Sequence, residues 1–98
     1  MKFTHYNLGF LDKDQIVEIG LKGNATNVFL MQSTQFAHYK KTGKRSGVGG
    51  LFQHTPVRLK VPHSGYWLLT LDFGGFAGKV DSHVEVYPAN YFNHIATK

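Results

Sequence analysis

In the segment Pro56-Val57-Arg58-Leu59-Lys60-Val61 the apolar Val57, Leu59 and Val61 alternate with the cations Arg58 and Lys60. A strand turns successive side chains to opposite faces, so Val57, Leu59 and Val61 share one surface while Arg58 and Lys60 share the other. A helix would scatter the three apolar groups around its cylinder, so the pattern predicts a half-buried strand. The same alternation runs through residues 15–22, with Val17, Ile19 and Leu21 inward and Glu18, Gly20 and Lys22 outward. Residues 66–73 place Trp67, Leu69, Leu71 and Phe73 on one side and Tyr66, Leu68, Thr70 and Asp72 on the other. Residues 79–87 set Val80, Val84 and Val86 around Ser82 on the inward side, against Asp81, His83, Glu85 and Tyr87 outside. Val28-Phe29-Leu30-Met31 is apolar on both faces and fits a short central strand. The predicted core is Val17, Ile19, Val57, Leu59, Trp67, Leu69, Leu71 and Val84.

The residues between these segments are turn formers. Leu11-Asp12-Lys13-Asp14, Gly23-Asn24-Ala25-Thr26-Asn27, Pro62-His63-Ser64-Gly65 and Gly74-Gly75-Phe76-Ala77-Gly78 each break the chain, and Pro88 ends the last strand. Residues 33–41 read differently. Ser33 or Thr34 can cap a helix, no β-branched residue follows Thr34, Lys40 and Lys41 fall where the helix dipole is negative, and Gly43 is a stop. Residues 44–50 carry three glycines and a serine, which predicts a mobile loop. The expected fold is all-β: a small antiparallel β-sandwich with one short helical insertion at residues 33–41. Residues 1–88 form one domain, and residues 89–98 form a tail with Tyr91, Phe92 and Ile95 at helix-like spacing.

Ninety-eight residues that are 42% hydrophobic suffice for one compact core and exclude a multidomain enzyme. An aromatic content of 14% excludes a disordered tail, because disordered chains lack the apolar groups that offset ordering entropy. No apolar run reaches the roughly 18 residues of a membrane span, and the first residues lack the apolar centre of a signal peptide, which predicts a cytoplasmic location. The absence of Cys removes disulfide scaffolds, thiolate zinc sites and thiol nucleophiles.

Charge is unevenly distributed within the net +5. Between Ile19 and Leu71 there is no acid, while Lys22, Lys40, Lys41, Lys44, Arg45, Arg58 and Lys60 all lie there. Such an interval suits an anionic partner, and it equally suits a solubilising surface. The candidate ligand-binding residues are Tyr39, Lys40, Lys41, Lys44 and Arg45. Cations neutralise phosphates, glycine amides can close on an anion, and a ring can stack on a base. Tyr39 and Phe36 also fit the buried stripe of the helix. A phosphate-loop reading of Gly43-Lys44-Arg45-Ser46-Gly47 fails, because Arg45 separates Lys44 from Ser46 and His38 stands where the first glycine belongs. His63-Ser64-Gly65 lacks the flanking glycines of a nucleophile elbow. Asp81, His83 and Glu85 share a strand face, but such a row spans roughly 13 Å, too far for one ion without a neighbour's ligands. No catalytic residue, metal ligand or cofactor is therefore assigned. The expected function is a non-enzymatic binding module for an anionic ligand, either a nucleotide-derived signal or nucleic acid. The alternative is a protein interaction or homo-oligomerisation domain whose surface uses aromatics such as Tyr66, Phe76 and Tyr91. A hydrolase built on His and Asp or Glu has no motif at adequate spacing.

Phe3-Thr4-His5-Tyr6-Asn7-Leu8-Gly9, Gly23-Asn24-Ala25-Thr26-Asn27-Val28-Phe29-Leu30-Met31, Pro56-Val57-Arg58-Leu59 and Pro62-His63-Ser64-Gly65-Tyr66-Trp67 together resemble a known family. It is the small bacterial domain of unknown function numbered 1883, and the likeness runs over residues 3–87. The resemblance implies a compact β-rich domain that stands alone or, in some members, is joined to a Toll/interleukin-receptor-like domain. It brings no catalytic or ligand residues to carry over. By analogy it suits a recognition module beside a signalling partner.

Overall fold

The computed structural model describes residues 3–74, 78 and 80–92. Seven strands and one helix follow in the order β1 (Thr4–Leu11), β2 (Ile16–Gly23), β3 (Thr26–Gln32), α1 (Ser33–Thr42), β4 (Val48–Phe52), β5 (Val57–Lys60), β6 (Gly65–Asp72) and β7 (Val80–Tyr87). They form two antiparallel sheets, one ordered β1-β6-β3-β4 and the other β5-β2-β7. Register follows the alternation read from the sequence: Val17 pairs with Leu59 and Val86, and Ile19 pairs with Val57 and Val84. Slipping any of these strands by one residue would turn its apolar set to water. The inward sets of the two sheets meet in a core of Val17, Ile19, Val57, Leu59 and Val61 against Val28, Leu30, Trp67, Leu69 and Leu71. The Trp67 indole N–H donates to the His63 carbonyl at 3.1 Å, so its burial leaves no polar group unpaired.

Helix α1 lies on the opposite face of the four-stranded sheet. Met31, Phe36 and Tyr39 form a second cluster there with Phe3, Phe29 and Leu68. The inner strands β3 and β6 are therefore covered on both sides, which is why residues 28–31 carry no polar alternation. The helix starts at Ser33, as expected, but neither Ser33 nor Thr34 is its cap. Gln32 takes the cap position in extended conformation, and the Gln35 side chain accepts its N–H at 2.9 Å. The stop at Gly43 is as expected: its φ of 76° is left-handed, and its N–H returns to the Tyr39 carbonyl at 2.8 Å.

The structure also departs from the sequence reading along the strands. The loop expected over residues 44–50 is shorter, because Val48 to Phe52 pair with β3. Gly49 makes this pairing possible, since a methyl group there would overlap the Val28 carbonyl oxygen. Val84 is only half-buried and Val86 is 37% exposed, because β7 is an edge strand. Ser82, placed among the inward valines, reaches the Tyr6 hydroxyl on the facing sheet at 2.5 Å. The first strand, β1, has weak alternation and a register shift between Asn7 and Gly9, which hides it from a period-two reading. In the tail, Tyr91 stacks on Tyr87, and Phe92 lies under the Arg58 guanidinium at 4.1 Å. Phe76 and Ile95 fall outside the described residues. Among the described residues no helix is long and apolar enough to cross a membrane.

Candidate functional site

Strand β6 ends at Asp72, whose alternation places it on the helix side of its sheet, where it is 2% exposed. An isolated carboxylate would be costly there, so its partners decide whether it can stay charged. Five donated hydrogen bonds converge on it. The Tyr39 hydroxyl donates to Oδ2 at 2.6 Å, and Arg45 donates from Nε to Oδ2 at 3.0 Å and from a terminal nitrogen to Oδ1 at 2.5 Å. Gly74 N–H donates at 2.7 Å and the Asn27 amide at 3.2 Å, both to Oδ1. Burial by itself would raise the Asp72 carboxyl, but the bonds from Arg45, Tyr39 and Gly74 outweigh it and hold the group below the ordinary carboxylate range. Burial pushes the Tyr39 phenol far above its usual value, and the bond to Asp72 pushes it further. The same hydrogen bond to Asp72 also raises Arg45 against the opposing effect of burial.

This arrangement divides the five residues singled out by sequence. The Tyr39 ring, a candidate for stacking on a base, is fully covered and holds the helix to β6 through its hydroxyl. Arg45 ties the loop after α1 to the same carboxylate in a fork of two bonds. Lys40, Lys41 and Lys44 remain exposed. The Lys40 ammonium sits 4.8 Å from the Phe36 ring centre. The ion pairs among the described residues are Arg45 with Asp72 and Arg58 with Glu18, and His83 contacts Glu85, so none of the three lysines has a carboxylate partner among the described residues. The amides expected to close on an anion are partly committed. Gly43 N–H caps the helix, and Lys44 N–H donates to the Thr42 hydroxyl at 3.1 Å. Beside Arg45 an open groove of about 440 Å³ runs between Asn24, Asn27, Leu51 and Phe73.

Neither Asp72 nor the groove was identified from sequence. One signal was present: Asp72 is the acid that closes the cation-rich interval, and it ends a strand in which Trp67, Leu68, Leu69 and Leu71 are all apolar. The other sequence candidates are accounted for locally. His83 Nε2 and the Tyr87 hydroxyl both approach Glu85, at 2.9 and 2.6 Å. The bonds from Tyr87 and then His83 lower Glu85, and the same carboxylate raises Tyr87 to about 12. Among the described residues no group of three His, Asp or Glu side chains is disposed to hold a metal ion. The Ser64 hydroxyl accepts the Lys13 N–H at 2.9 Å, and the His63 ring packs on Trp67 with centres 5.1 Å apart. The turn at 62–65 thus joins the β1–β2 connection to the core.

No curated protein and no solved structure gives a significant match to the chain. A family model described as "Domain of unknown function (DUF1883)" matches residues 1–90. With nearly its whole length inside that match, the chain belongs to domain-of-unknown-function family 1883.

Proposed function

We propose that this chain is a non-enzymatic binding module that takes an anionic partner on the face formed by Lys40, Lys41 and Lys44. The observation that carries the reading is the contrast among the cations of the acid-free interval. Among the described residues Arg45 and Arg58 each hold a carboxylate while the lysines of the interval hold none. Three of those lysines, Lys40, Lys41 and Lys44, stand exposed together at the end of α1 and in the loop after it, whereas Lys22 and Lys60 stand apart on β2 and β5. Charges left without partners on one helix end and its following loop create a local positive potential. Nucleic-acid phosphates fit this face better than a small nucleotide does. The ring that would stack on a base is buried, and the helix-end amides are bonded within the chain. Lysines on an open surface act as point charges toward a backbone, and such contacts are sequence-independent. The non-enzymatic part of the reading is supported by Asp72, the buried carboxylate of the described residues, whose oxygens are occupied by structural donors.

The test is fluorescence anisotropy of a labelled oligothymidylate at low salt, with the native protein and with Lys40, Lys41 and Lys44 all changed to Glu. Arg45 is left intact in this variant because it supports the fold. The expected result is binding by the native protein and its loss in the variant at an unchanged melting midpoint. Equal binding by both proteins, or none by the native protein, would overturn the proposal. Competition by free nucleotide at equivalent phosphate concentration would redirect it to a small ligand.

A further inference from the structure

We infer that β4 is a docking edge for a second copy of the same chain, pairing antiparallel with the partner's β4 about a two-fold axis at Gly50. A sheet edge presents unpaired N–H and C=O groups, and natural edges are usually blocked by charge, proline or a bulge. Three of the four edges here carry such devices. Strand β1 has its irregularity between Asn7 and Gly9, β5 follows Pro56 and bears Arg58 and Lys60, and β7 bears Asp81 and Glu85. Strand β4, with the sequence Val48-Gly49-Gly50-Leu51-Phe52, carries none of them. The chain around it is uncharged as well, because residues 46–55 contain no Lys, Arg, Asp or Glu, and Arg45, which shares the groove with Leu51, is neutralised by Asp72.

Charge selects the occupant. An acidic or basic strand would find no complement on this edge, whereas a second uncharged β4 matches it. Self-pairing of β5 would instead set cations against cations. Shape agrees with charge. With the axis at Gly50, Val48 falls opposite the partner's Phe52, and Leu51 falls opposite the partner's Gly49. Leu51 points away from the sandwich and is 66% exposed in one copy. Opposite a glycine it meets no side chain directly, and it reaches diagonally toward the partner's Leu51. The pairing buries two exposed leucines and continues the four-stranded sheet into an eight-stranded one. Five residues per edge give a contact well below the ~1,600 Å² of a standard interface, so the association is weak and concentration-dependent. It does not involve Lys40, Lys41 or Lys44.

The absence of Cys allows a register-specific test, because a single introduced thiol has only its own copy to join. A methyl at Gly50 would meet only the Phe52 ring, at 3.8 Å, so G50C fits the fold. K60C, on the β5 edge, is the control. Mild oxidation at high protein concentration should convert most G50C to a covalent dimer and leave K60C largely monomeric. Sedimentation of the native protein should show the mean mass rising with concentration, and L51K should remain monomeric with an unchanged melting midpoint. A native protein that stays monomeric at millimolar concentration, or G50C and K60C that cross-link alike, would overturn the inference. Association that persists in L51K would overturn it too and point to another face, such as exposed Phe10 and Tyr66.

Discussion

Asp72→Asn keeps the shape of the side chain while it removes the charge and turns one acceptor oxygen into a donor, so it tests what the carboxylate contributes. In the native chain the group receives the Arg45 fork, the Tyr39 hydroxyl, the Gly74 N–H and the Asn27 amide. The replacement amide turns a donor toward at least one of these donors and leaves the guanidinium without its counter-charge. Removing one partner of a buried ion pair costs about 3–5 kcal/mol. The Arg45 side chain is 26% exposed, so water partly solvates it once freed, and the lower end, about 3 kcal/mol, applies. For a domain of this size each kcal/mol moves the midpoint by roughly 4–8 °C, so the melting temperature should fall by about 12 °C or more. Tyr39→Phe keeps the covered ring and removes one hydrogen bond to a charged acceptor, which should cost about 1.5–3 kcal/mol. Urea unfolding of the native chain, both single variants and the double variant reads these costs and their coupling. If Asp72→Asn unfolds within about 0.5 kcal/mol of the native protein, the carboxylate is not the tie between helix, loop and sheet, and the reasoning fails.

Trp67→Ala, in a core position that is 2% exposed, should lose about 3–5 kcal/mol in the same unfolding assay. Gly49→Ala should destabilise the fold and expose β3 to amide exchange, because the added methyl overlaps the Val28 carbonyl; Gly50→Ala should be far milder. Stability should depend on pH at both extremes, with assignable limbs. As pH falls below 3.8 the unfolded Asp72 takes up a proton before the folded one, so its contribution is complete above that value and is lost as pH falls through the lower folded value. Tyr39, raised above 10.0, contributes fully below pH 10 and loses its contribution as pH climbs through its folded value. Asp72→Asn should flatten the acid limb and Tyr39→Phe the alkaline limb of melting temperature against pH.

The strands that flank the core were legible through their period of two: Val17 and Ile19, and Val57 and Leu59, alternate with less apolar residues and are buried, and Trp67 and Leu69 share the same face of β6 although Leu68 between them is apolar too. The α1 segment and its end at Gly43 were legible for local reasons, the lack of β-branched residues from Gln35 to Lys41 and the need for a left-handed terminal residue. What remained hidden depends on contacts distant in sequence. Gly49 resembles a loop residue until β3 lies beside it, and only then does its lack of a side chain become the reason for a strand. Val86 has an inward position but an edge strand around it, and alternation reports direction without reporting cover. Tyr39 and Arg45 stood in a row of cations that looked uniform. Their separation from Lys40, Lys41 and Lys44 required knowing that Asp72, 27 residues beyond Arg45, folds back onto them.

The central claim is that the three lysines meet a phosphate backbone, and its most direct test is the salt dependence of oligothymidylate binding. If each lysine neutralises one phosphate of a single strand, log affinity should fall linearly against log salt with a slope of about −2, from roughly −0.7 per contact. Reversing one lysine, with Lys44→Glu, should make the slope shallower by at least one contact. A slope near zero in the native protein, or a slope that Lys44→Glu leaves unchanged, would contradict the claim.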